Sequence, residues 1–271
     1  MGSVQTLLLK LAMNIVYIVS DPIFIVLAIL MIVMYRREAK ETKDKVYRNQ
    51  LERTAIKDIF RGVIIGAIMS LVLTSLGICI PITKGMLILI PITIGLVTIN
   101  PKWGCFSYVI PIAYGVQVVG RLFQKDLTWL DLHYDEMIIL IGILHIIEGL
   151  LVITYGHENS REVPLYREGK LVSGYVLKKY WPIPLMVFQY GGSVVSLIPM
   201  YAMLGYADIT FGQNPRSKSR RMGMILVLYG SIITGLGYLT QRGMISILVV
   251  IMVMPILHEG MFLVNDRVGK A

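Results

Sequence analysis

Residues 137–155, MIILIGILHIIEGLLVITY, run the length of a bilayer core with one carboxylate and one imidazole among them. About 20 apolar residues carry a helix across the hydrocarbon layer. Further apolar runs recur at 62–80, 85–99, 104–122, 222–240 and 243–257. The first block, 4–35, is interrupted by Ser20-Asp21-Pro22. Pro22 suits the first turn of a new helix, and Ser20 or Asp21 suits its cap. The chain has 271 residues, is 55% hydrophobic, is 16% charged and has a mean hydropathy of +0.68. A water-soluble domain of that size cannot keep so much apolar surface dry.

The sequence therefore predicts an all-α polytopic membrane protein, one multi-pass domain over 1–271. Seven or eight membrane helices are expected, some short or broken, with a small cytoplasmic β-hairpin. The net charge of +9 fits basic loops facing anionic lipid on the cytoplasmic side. No RNP, helix-turn-helix or zinc-finger pattern supports a nucleic-acid partner.

Residues 36–61 carry nine Lys/Arg against five Asp/Glu and read as a cytoplasmic basic helix. Residues 156–180 carry five against three, and their alternation around Glu168-Gly169 predicts the hairpin. The segment QKDLTWLDLHYDE, 124–136, is acidic and suits the outer face. Residues 181–207 are apolar but hold Pro182, Pro184, Gly191, Gly192 and Pro199. They read as a re-entrant or doubly crossing helical stretch. That places the basic segment PRSKSRR, 215–221, and the C-terminus inside. Gly62 and Gly66 are spaced for close helix–helix packing.

Ionisable groups inside such spans are costly and need partners. His145 and Glu148 are i,i+3 neighbours on one helix face, flanked by Gly142 and Gly149. His258 and Glu259 lie together near the end of the last apolar run. A zinc protease motif would place a second histidine at 262, where this chain has Phe262. The simpler reading of His145–Glu148 is a polar lock between helices. The sharper one joins His145, Glu148, His258 and Glu259 into a metal site, zinc being the candidate ion. Cys79 and Cys105 form no C-x-x-C pair and predict neither a disulfide nor a thiolate metal site.

Several stretches together resemble a known family. They are DPIFIVLAILMIVMYRREAK (21–40), INPKWGCFSYVIPI (99–112), LHIIEGLLVITYGH (144–157) and VPLYREGKLVSGYVLKKYWPIPL (163–185). LGYADIT (204–210), PRSKSRR and LHEGMFLV (257–264) complete the set. In this order they resemble the membrane domain of the MinJ-like, PDZ-domain-containing proteins of Firmicutes. The likeness runs from about residue 15 to 265. WPIPL and NPKWGCFSY are its most specific parts.

The resemblance implies a non-catalytic membrane scaffold in bacterial cell division or envelope organisation, multi-pass in the plasma membrane. It also implies that a PDZ domain follows Ala271 in the native gene. The bilayer and cytoplasmic division proteins are the expected partners, and homo-oligomers are compatible with it. Arg36, Arg37, Lys40, Arg48, Arg53, Lys178 and Lys179 are the expected partner-binding residues. No cofactor is implied. The alternatives from the residues are an intramembrane metal-dependent hydrolase using the His/Glu quartet and a small-solute transporter.

Overall fold

Asp21 and Pro22 do start a helix, α1 (Pro22–Lys40). The Asp21 carboxylate accepts the Ile23 N–H at 2.8 Å, and proline at the first position loses no helical hydrogen bond. The computed structural model describes residues 16–268, apart from 41–44, 76–77, 80–82, 126, 128–129, 131, 168, 192–193 and 212. The chain divides into two compact units. One is Met1–Ile78 with Gly156–Pro215; the other is Cys79–Tyr155 with Arg216–Ala271.

In the first unit, α1 and α2 (Lys45–Ser75) pack on an antiparallel sheet of order β1-β2-β3. The strands are β1 (Arg161–Arg167), β2 (Lys170–Gly191) and β3 (Val194–Phe211). Arg167 opposes Lys170, with Gly169 at φ 78°. A hairpin joins these strands, as expected, although Glu168 itself lies outside the described residues. The second strand does not stop at Tyr180. It runs on to Gly191, with Gly174 opposite Phe211 and Gly191 opposite Val194.

Beyond Val176, β1 no longer pairs with β2, so among the described residues one edge of β2 is open. That edge explains the prolines. The carbonyls of Pro182 and Pro184 face Gly62 and Gly66 of α2, where an added Cβ would overlap them. In a strand, N–H and C=O of one residue point to the same side and alternate with the next. The missing N–H groups of both prolines therefore fall on the open edge, where no strand needs them. The neighbours of the same parity do have N–H groups, and helices satisfy them. Tyr180 donates to Tyr35 Oη at 3.2 Å and Met186 to Ser70 Oγ at 2.8 Å. Gly62, Gly66 and Ser70 thus form a helical stripe that closes a sheet edge. The sequence predicts a helix–helix contact for the two glycines; their partner is a strand.

Between α2 and β2 lies a linked set of charges with a buried pair at its centre. Asp58 and Lys179 are both fully buried, 2.9 Å apart. Tyr35 donates to the same carboxylate at 2.7 Å. Arg61 joins Asp58 at 3.1 Å and grips both oxygens of Glu158 at 2.5 and 2.9 Å. Tyr35 also belongs to an apolar cluster with Met31, Ala39, Leu51 and Ala55. Charges removed from water persist only when each finds its opposite, and here two cations meet two carboxylates.

In the second unit, α3 (Leu89–Ile99) and α4 (Phe106–Leu122) are joined by a 3-10 turn, Pro101–Gly104. Three longer helices follow: α5 (Tyr134–Tyr155), α6 (Pro215–Gln241) and α7 (Ile247–Val268). Most of α5 is buried, whereas α6 and α7 leave Leu228, Ile232, Leu248, Met252, Ile256 and Leu263 exposed. Their outward apolar faces suit hydrocarbon better than water.

The expected all-α protein with seven or eight membrane helices is corrected on two counts. Residues 181–207, expected as broken helix, lie largely in β2 and β3; Gly192 lies outside the described residues. Prolines two apart break a helix but fit an open strand edge. Among the described residues, three helices are long and apolar enough to cross a membrane: Tyr134–Tyr155, Pro215–Gln241 and Ile247–Asp266. The runs at 85–99 and 104–122 give α-helices of 11 and 17 residues, short of the roughly 20 a span needs. Of the run at 62–80, residues 62–75 form the second half of α2, whose first half is charged.

Burial alone would raise the Glu158 carboxyl. The hydrogen bonds and charges of Arg61 and Lys179 outweigh burial and hold it below its ordinary value. A carboxyl depressed in the folded state stabilises it above the unfolded value, about 4.3, and loses that contribution as pH falls through the folded value. Glu158→Gln should therefore flatten the loss of thermal stability below about pH 4.3, measured by melting the purified protein across that range.

Candidate metal centre

The stretch NPKWGC builds the first wall of the site. Asn100 caps the 3-10 turn by accepting the Lys102 N–H at 3.2 Å, with Pro101 at its first position. The turn delivers Cys105 to the N-cap of α4, where its Sγ accepts the Ser107 N–H at 3.4 Å. A sulfur there faces unpaired helical N–H groups and the positive end of the helix dipole, both of which favour thiolate.

The second wall is α5, brought close to α6 by glycines. A Cβ on Gly142 would lie 2.7 Å from the Gly230 carbonyl, and one on Gly149 2.7 Å from that of Gly223. His145 lies between those contacts in sequence, on the same side of α5. Its Nδ1 is 2.8 Å from the Ile141 carbonyl. A carbonyl only accepts, so Nδ1 carries the proton and Nε2 presents its lone pair. That Nε2 lies 3.4 Å from Cys105 Sγ.

The third wall is α7, which supplies His258. Its ring centroid is 5.4 Å from that of His145, the planes nearly perpendicular. Tyr229 of α6 packs edge-on against both, at 4.9 and 5.3 Å, and Phe262 against His258 at 5.2 Å. The Tyr229 hydroxyl donates to Ser107 Oγ at 2.8 Å and approaches the Met254 carbonyl at 3.2 Å. Both histidines are buried.

Cys105, His145 and His258 each turn a ligand atom inward, and these atoms lie within 4.8 Å of one another. Tetrahedral zinc, with bonds of about 2.3 Å to sulfur and 2.0–2.1 Å to nitrogen, sets sulfur and nitrogen roughly 3.5 Å apart. The Cys105–His145 separation is already close to that value. The widest pair would close by roughly 1 Å around an ion.

The expected quartet divides in the structure. His145 and His258 meet, but neither carboxylate belongs to the cluster. Glu148 lies one turn along α5 from His145, half-buried and without a hydrogen bond among the described residues. Glu259 accepts from Lys102 Nζ at 2.9 Å and from Tyr108 at 2.8 Å. The residue that sequence reasoning missed is Cys105. It has no spacing motif, and its one local signal is its place after an Asn-Pro turn at a helix start.

The basic residues expected to bind partners lie in the first unit. Arg36, Arg37, Lys40, Arg48 and Arg53 are exposed on α1 and α2, Arg36 within 3.9 Å of Glu52. Lys178 is half-buried. Lys179 is fully buried on Asp58, so its ammonium serves the fold and offers nothing to a partner.

No family model, curated protein or solved structure matches the chain. The glycine contact that places His145 can be tested directly. Gly149→Ala, facing the α6 backbone, should destabilise the protein by about 1–3 kcal/mol. Gly235→Ala, on α6 with open space around it, should leave stability unchanged or raise it by up to about 1 kcal/mol. Thermal or denaturant unfolding of the two variants measures the contrast.

Proposed function

We propose that this protein is a membrane metalloprotein that holds a zinc-class ion through Cys105, His145 and His258. The observation that carries the reading is the convergence of those three donors from α4, α5 and α7. One soft sulfur and two imidazole nitrogens suit zinc, cobalt or copper and disfavour magnesium and calcium, which take oxygen donors. An ion there would tie three helices together at one point, and its binding energy would add to folding. Glu148 is the nearby carboxylate with no hydrogen bond among the described residues, and it stands available to a fourth position directly or through water. The proposal places the chain in the bacterial plasma membrane as a multi-pass protein.

A scaffold role is compatible with such a clamp. It is favoured by one observation, the exposed basic set Arg36, Arg37, Lys40, Arg48 and Arg53. Anionic lipid or an acidic face of a cytoplasmic division protein would complement that surface.

The purified protein, equilibrated with Zn²⁺ and freed of excess, should retain one ion per chain and melt at a higher temperature than after chelation. Cys105→Ser, nearly isosteric, should lose the ion and the shift. Wild-type protein that retains no ion would refute the reading.

A further inference from the structure

The two histidines are oriented by different means. His145 is held by a backbone carbonyl of its own helix, which no side-chain change removes. His258 is held by side chains. Its Nδ1 lies 2.9 Å from the Tyr108 hydroxyl. That hydroxyl donates its one proton to Glu259 Oε1 at 2.8 Å. The Tyr108 oxygen is left as an acceptor, so the proton shared with His258 belongs to Nδ1. Nε2 is then the lone pair available to an ion.

The line continues outward. Glu259 Oε2 accepts from Lys102 Nζ at 2.9 Å, and these two side chains are 40% and 36% exposed. Lys102 also stands 5.9 Å from the Phe262 ring, which packs on His258. Glu259 follows His258 directly, yet neighbours on a helix point about 100° apart. Its hydrogen-bonded link to the imidazole runs through Tyr108. A second line, which starts at the sulfur and runs through Ser107 and Tyr229, stays among buried side chains and ends near the Met254 carbonyl.

We infer that Tyr108 and Glu259 are positioning residues of the metal centre, which fix His258 as an Nε2 ligand and couple ion binding to the Lys102–Glu259 pair at the accessible edge. This rests on the metal reading above. A ligating histidine that gives its second N–H to an acceptor is held in one tautomer and one ring orientation, and its basicity rises. Here the acceptor is a tyrosine backed by a carboxylate, so the negative charge of Glu259 acts on the ion at one remove. The arrangement gives Glu259 a task that is neither ligand nor base. It also makes His258 the adjustable ligand of the pair: whatever draws Glu259 away from Tyr108 weakens the hold on the ion without touching a ligand.

The test is a Co²⁺ titration of the full chain in detergent, followed by the thiolate-to-cobalt absorption band and by competition with a chelating dye. Wild type should bind one Co²⁺ with a band that Cys105→Ser abolishes. Tyr108→Phe, which removes one hydroxyl and keeps the ring, should keep the Cys105-dependent band, shift the ligand-field absorption and weaken binding by about 10–100-fold. Glu259→Gln keeps an acceptor for Tyr108 but loses the charge, and should weaken binding less, in the same direction. It acts on His258 through Tyr108 and leaves the site's packing intact. Wild-type affinity and spectrum in both variants would overturn the inference while leaving the metal reading standing. A wild type that binds no Co²⁺ would overturn both.

Discussion

The close approach of α5 to α6 is the contact on which the second unit depends. Gly142 meets Gly230, and Gly149 meets Gly223, with each carbonyl lying where the other residue's Cβ would be. Apolar side chains alone gain little by leaving lipid for one another, so helices in that setting associate by tight packing and hydrogen bonds. Glycine makes the tight packing available. It also sets the depth at which His145 enters the site, since a wider separation would pull its ring off Tyr229.

The first unit is governed by a different demand, that of the open edge of β2. An unpaired strand edge presents a row of N–H and C=O groups that must be satisfied or suppressed. Here two prolines remove their donors, and Tyr35 and Ser70 accept from Tyr180 and Met186 on either side of them. The Asp58–Lys179 pair is buried beside the same strand. Its net contribution to stability is small, because desolvation offsets most of the attraction. Its effect is on specificity: any register that separates the two leaves a bare charge in an apolar interior.

Much of this is legible in the sequence and some is not, for physical reasons. The Asp21-Pro22 start of α1 can be read because capping is local. The importance of His145 and His258 can be read because an imidazole in an apolar run demands a partner. A helical reading of 181–207 fails because hydropathy measures how apolar a segment is and says nothing of its period. The proline spacing of two is the signal that points to a strand. Gly62 and Gly66 announce a close approach but not to what, since a small stripe admits a strand as readily as a helix. Cys105 cannot be found by spacing at all. Its partners are 40 and 153 residues away, and only the packing of α4, α5 and α7 joins them.

A site built from three separate helices is informative in itself. Tertiary structure places the lone pairs of both histidines and one sulfur in a common volume, and the Ile141 carbonyl and Tyr108 hydroxyl hold the imidazoles so that Nε2 stays free. The most direct test is X-ray absorption at the zinc edge of the metal-loaded protein. A shell with one sulfur at about 2.3 Å and nitrogens at about 2.0–2.1 Å, the sulfur vanishing in Cys105→Ser, is the predicted result. A spectrum with only oxygen and nitrogen neighbours, unchanged by that substitution, would contradict it.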